Sequence, residues 1–79
     1  QKTVNAASRQ VEAIRYIKQT IGLEKLPHTL REAAEVRLNH PEAALQELVE
    51  ILGGHIGKSG INHRLRKLQQ IADDLKEGK

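Results

Sequence analysis

Residues 45–68 read LQELVEILGGHIGKSGINHRLRKL, and their spacing decides the fold. Leu45, Leu48, Val49 and Leu52 fall at i, i+3, i+4 and i+7, which lines one face of a helix. Gly53-Gly54 ends that helix, because glycine accepts a positive φ without a Cβ clash. His55-Ile56-Gly57-Lys58 then turns the chain, with Ile56 expected to point inward. Ser59 stands where an N-cap belongs, with Asn62 three residues on. Ile61, Leu65, Leu68, Ala72 and Leu75 form a second stripe, with Ile71 at its edge. A short helix, a glycine turn and a second helix with donors on its far side read as a helix-turn-helix, assigned to residues 42–76. The turn is about two residues longer than the tight form of the motif.

The outward face of the second helix carries the chemistry. With Ile61 as zero and 100° per residue, Leu65, Leu68 and Ala72 lie within roughly 40° of the core direction. Asn62, His63, Arg66, Lys67 and Gln70 lie roughly 80° to 180° away, and no acid stands among them. These residue types suit a DNA major groove. Arginine forks to guanine, asparagine pairs with adenine edges, and lysine and histidine reach phosphates. Lys58, Ser59, Asn62, His63, Arg66 and Lys67 are the candidate DNA contacts. Arg64 lies nearer the core edge and is assigned to a phosphate or a neighbouring helix rather than to bases. The helix N-terminus adds N–H groups that favour an anion. A basic helix face is more often merely solvated, so charge alone does not carry this reading. The order of core, turn and donors does.

Working outward, the spacing predicts helices over 4–21, 29–39, 41–52 and 59–76. Val4, Ala7, Val11, Ile14, Ile17 and Ile21 line the first, with Thr3 or Asn5 as its cap and Gly22 as its C′ residue. Thr29 and Glu32 have capping-box spacing at the start of the second, where Leu30, Ala33, Ala34 and Leu38 form the apolar stripe. Pro41 suits the first turn of the third. No window alternates apolar and polar residues with β-branched enrichment, so no strand is expected. The fold class is all-α, four helices in a single domain spanning 1–79.

Composition excludes several functions. The chain has 79 residues, no Cys and one aromatic, Tyr16. Thiolate metal sites and disulfides are ruled out. Modules that stack single-stranded bases need several surface aromatics, so a duplex is the better partner. His28, His40, His55 and His63 are scattered with no His-x-x-x-His pair, so no metal is expected. Glu32 with Glu35, and Asp73 with Asp74, lie on charged helix faces, and no Gly-rich phosphate loop is present. The expectation is therefore no enzyme and no cofactor. No apolar run is long enough to span a membrane. Net charge is +3, and residues 55–68 carry Lys58, Arg64, Arg66 and Lys67 with no acid among them. The chain begins with Gln, so it is expected to be part of a longer protein. The isolated domain is expected to be monomeric.

The same residues resemble a known family. Leu26-Pro27, Leu30-Arg31-Glu32-Ala33-Ala34, Arg37-Leu38 and His40-Pro41-Glu42-Ala43 resemble the C-terminal domain of WhiA proteins. The most specific part is Lys58-Ser59-Gly60 followed by Asn62-His63-Arg64-Leu65-Arg66-Lys67-Leu68. Upstream, Val4-Asn5-Ala6-Ala7 and Gln10 through Tyr16 are similar too, so the resemblance covers nearly the whole chain. It implies a bacterial transcription regulator of sporulation and cell division, acting in the cytoplasm at the nucleoid. It also implies a helix-turn-helix similar to region 4 of primary sigma factors, preceded in the full-length family by a degenerate homing-endonuclease-like domain. Promoter DNA and the sigma factor of RNA polymerase are the partners it implies. Gly54-His55 stands where prolines are common in the family, Gly57 where Ser is common, and Ala44 and Val49 where Ser and Gly are frequent. A more flexible turn is expected from these departures. The alternative reading is a protein-docking module for a sigma factor or polymerase, with the acidic segment from Glu24 to Glu50 facing a basic partner. A hydrolase fragment ranks last.

Overall fold

Aliphatic stripes on four segments can be buried only by packing against each other, and that requirement shapes the chain. The computed structural model describes residues 6–78, with side chains from residue 8 onward. Its helices are α1 (Ala6–Thr20), α2 (His28–Asn39), α3 (Leu45–Ile51) and α4 (Lys58–Lys76), with one 3₁₀ turn at Leu23–Lys25. No strand occurs among the described residues. At 1.5 Å per residue α4 is about 28 Å long, and α1, α2 and α3 all pack against it. Ile14, Ile17, Ala33, Ala34, Leu48, Ile61, Leu65 and Leu68 are fully buried, and Ala72 nearly so. Ile56 packs inward against this cluster, as its place in the turn predicts.

The helix ends differ from the sequence expectation, and each difference has a local cause. Thr3, Val4 and Asn5 lie outside the described residues, as does the side chain of Ala7. Ile21 is exposed rather than in the core, because α1 stops at Thr20 and Gly22 turns the chain at φ +86°. Leu38 is only half-buried, whereas Ala13, Leu26 and Val36 join the core unforeseen. Thr29 does not cap α2. Pro27 is the N-cap with extended backbone and makes no side-chain capping bond, and Thr29 sits one residue inside the helix.

The third helix starts at Leu45, not at Pro41. Arg37, at the i+7 position of the stripe begun by Leu30, is buried, and its guanidinium explains the delay. One terminal nitrogen donates to the carbonyl oxygens of His40 (3.3 Å), Pro41 (3.3 Å) and Ala43 (2.8 Å). Carbonyls turned toward a cation in this way cannot point along a helix axis. Ala44 is therefore the extended N-cap, and its N–H donates to Glu47 Oε1 at 2.9 Å. That is half of a capping box, since alanine has no side-chain oxygen for the reciprocal bond. At the other end of α3, Gly53 (φ +87°) and Gly54 (φ +77°) close the helix. The Gly54 N–H donates to the Val49 oxygen and the Gly53 N–H to the Glu50 oxygen, the paired bonds of a Schellman end.

Candidate nucleic-acid interface

The first half of α4 presents the predicted donors in the predicted phase. Ile61, Leu65 and Leu68 are buried, whereas Lys58, Ser59, His63, Arg66 and Lys67 are exposed. Asn62 is partly exposed on the flank. Gln70, also outward, donates from Nε2 to Asp74 Oδ1 at 3.1 Å, so it is occupied within its own helix. The acids Asp73 and Asp74 come only after the basic turns, toward the far end of α4.

The start of α4 needs one correction. Ser59 is not the N-cap. Gly57 is, with extended backbone at φ −87° and ψ 179°, and Ser59 is the second helical residue. The arrangement repeats that of α2, where an extended residue without a capping side chain precedes the helix. Gly57 has no side chain to cap the N–H groups at the start of α4. Uncapped N–H groups at a helix N-terminus favour a negatively charged oxygen such as that of a phosphate.

Arg64 is set apart from the outward donors. Its side chain is 23% exposed, and its guanidinium lies 4.0 Å from Glu32 Oε1 on α2. His55 of the turn approaches the same oxygen, Nε2 to Oε1 at 3.7 Å. Glu32 thus faces the turn and α4 at once. Because Thr29 sits inside the helix, Glu32 is not engaged in the capping box its spacing suggests. Its role could not be read from one helix, since it depends on how α2 crosses α4.

Two further residues tie elements together away from the donor face. Burial pulls the Arg37 guanidinium below its ordinary pKa, and the three carbonyl oxygens around it supply the compensating dipoles. Its signal in the sequence was periodicity alone, a polar residue on an apolar stripe. Tyr16 is half-buried, with the Lys76 ammonium 5.3 Å from its ring centroid, a cation–π contact that joins α1 to the end of α4. Among the described residues no group of three or more His, Cys, Asp or Glu is placed to hold a metal ion. No helix among them is long and apolar enough to cross a membrane.

Comparison with known proteins agrees with this geometry. The family model for the WhiA C-terminal HTH domain matches residues 1–72. A "Probable cell division protein WhiA" of Clostridium botulinum (strain Eklund 17B / Type B) is 60% identical over 77 residues, 98% of this chain and 24% of that protein. The Clostridium beijerinckii protein of the same name is 58% identical over 78 residues, 99% of this chain and 25% of its own length. Full-length DUF199/WhiA from Thermatoga maritima, known from a crystal structure, matches with a TM-score of 0.79 and 42% identity, over 85% of this chain and 23% of that one. The chain spans about a quarter of the length of the curated relatives it matches.

Proposed function

The chain belongs to the WhiA C-terminal helix-turn-helix family, and from that premise we propose that it binds double-stranded promoter DNA sequence-specifically in transcription regulation. One observation carries the reading: Lys58, Ser59, His63, Arg66 and Lys67 stand exposed and free of acids on α4, opposite a buried face. A helix held this way offers its donors to a major groove while its other side stays in the core. Arg66 and Asn62 are the base readers on this reading. Lys58, Lys67 and Arg64 hold phosphates, and Ser59 and His63 line the groove wall. The domain works as a monomer without cofactor and catalyses nothing. It is the C-terminal part of a longer regulator at the bacterial nucleoid, with roles in cell division, as its relatives are named, and in sporulation.

Fluorescence anisotropy of the chain against promoter DNA and a scrambled duplex over a salt series tests this. Affinity should fall log-linearly with salt, with a slope of about −2 to −3, since Lys58 and Lys67 each neutralise a phosphate and Arg64 adds up to one more. The promoter duplex should bind more tightly at every salt. Equal affinities for the two duplexes would remove sequence specificity.

A second reading has its own observation. Ile51 on α3 is 47% exposed beside Glu47 and Glu50. An acidic, partly apolar helix face suits docking on a basic partner such as a sigma factor or polymerase. Docking through an apolar contact would respond far less to salt than DNA binding does.

A further inference from the structure

Glu32 lies on α2, outside the helix-turn-helix, yet it is the acid that meets the basic helix. Its Oε1 stands 4.0 Å from the Arg64 guanidinium and 3.7 Å from His55 Nε2. Neither distance is that of a direct hydrogen bond. The pair with Arg64 is an electrostatic one that a stronger acceptor can displace. All three side chains are partly open to solvent, at 32% for Glu32, 23% for Arg64 and 57% for His55. Arg64 therefore has a choice between an internal carboxylate and an external anion.

We propose that Glu32 restrains DNA binding by withholding Arg64 from the phosphate backbone, a regulatory positioning residue for the interface; this rests on the DNA-binding reading above. In the free domain the carboxylate neutralises Arg64. In the complex a phosphate takes the guanidinium, and the freed carboxylate collects a cation from solution. That uptake offsets one of the counterions released from the DNA, so Arg64 contributes less than a full unit to the salt slope. Phosphate contacts carry no sequence information, so the restraint acts on promoter and random DNA alike. Its consequence is lower occupancy of random DNA. His55 adds a positive charge beside the same oxygen only when protonated.

The test is Glu32→Gln, which removes the charge and keeps the shape, measured by anisotropy on a random-sequence duplex and on promoter DNA over a salt series. Both affinities should rise about two- to fivefold at low salt, the range that an exposed charge pair supports. The log–log slope should steepen by up to about one unit, and the ratio between the two duplexes should hold. In an Arg64→Ala background the same substitution should change nothing. Circular dichroism melts of each variant confirm that folded protein is compared. Weaker binding by Glu32→Gln would overturn the proposal, because Glu32 would then be orienting Arg64 for DNA. A gain that persists without Arg64 would overturn it too, as a general charge effect. Wild-type binding with Glu32→Gln unchanged overturns this proposal alone. A wild-type chain that binds neither duplex overturns the DNA reading and this proposal with it.

Discussion

The Arg37 guanidinium donates to the carbonyl oxygen of Ala43 at 2.8 Å, and through this bond the last turn of α2 sets where α3 begins. The same nitrogen reaches the His40 and Pro41 oxygens at 3.3 Å, so one buried side chain organises the whole α2–α3 connection. Arg37→Ala should cost about 2 to 4 kcal/mol, from the lost charged hydrogen bonds and the cavity left behind. Arg37→Met refills the volume without restoring the bonds, and should cost about 1 kcal/mol. Urea unfolding of both variants checks this. If Arg37→Met matched the wild type, packing alone would hold the connection.

Gly57→Ser should stabilise the domain. Gly57 is the N-cap of α4 with ordinary negative φ, and a Cβ there meets nothing within 4 Å. A serine hydroxyl could accept a first-turn N–H, a gain of a few tenths to about 1 kcal/mol over glycine. Ser59→Ala, one residue inside the helix, should change stability by less than about 0.5 kcal/mol. A loss of about 1 kcal/mol from Ser59→Ala would make Ser59 the cap after all.

Gly53 should tolerate no side chain cheaply, for a different reason. Its φ of +87° is the helix-closing conformation, and the nearest atom to an added Cβ is His55 Nδ1 at 3.9 Å, an ordinary contact. The penalty of Gly53→Ala is therefore backbone strain of about 1 to 2 kcal/mol rather than collision. Thermal melts of Gly53→Ala and Gly57→Ser should separate the two sites, with only the first losing stability.

Most of the buried stripe of α4 was legible: Ile61, Leu65, Leu68 and Ala72 repeat with the helical period and are buried, whereas Leu75, read on the same stripe, is only partly buried. Helix starts were harder. Thr29 and Ser59 both look like caps, yet both stand one residue inside their helices, behind an extended Pro27 and Gly57. The hydroxyl preference at N-caps is a matter of about 1 kcal/mol, small enough for the tertiary packing of a helix to override. Pro41 misled in the same way, because the carbonyls around it answer to Arg37 rather than to a helix. The outward donors of α4 were readable from phase. The Glu32–Arg64 contact was not, since pairs across two helices depend on a crossing that periodicity does not contain.

Arg66 and Arg64 should therefore behave differently on DNA. Arg66 is exposed, roughly 140° around the helix from buried Ile61, so it faces the groove on the proposed reading. A bidentate arginine–guanine pair is worth about 1 to 3 kcal/mol of discrimination. Arg66→Ala should narrow the gap between promoter and scrambled DNA by about one to two powers of ten. Arg64 starts from its place beside Glu32 and meets only the backbone, so Arg64→Ala should weaken both duplexes alike. Because Glu32 already shares its charge, the slope should become shallower by less than about one unit. Anisotropy of both variants on both duplexes over a salt series reads the two effects separately. A reversal, with Arg64 controlling specificity and Arg66 only the salt slope, would mean that the arginine beside Glu32 turns into the groove on binding. If neither variant altered DNA binding, α4 would not be the reader, and the exposed Ile51 face of α3 would become the surface to test against a protein partner.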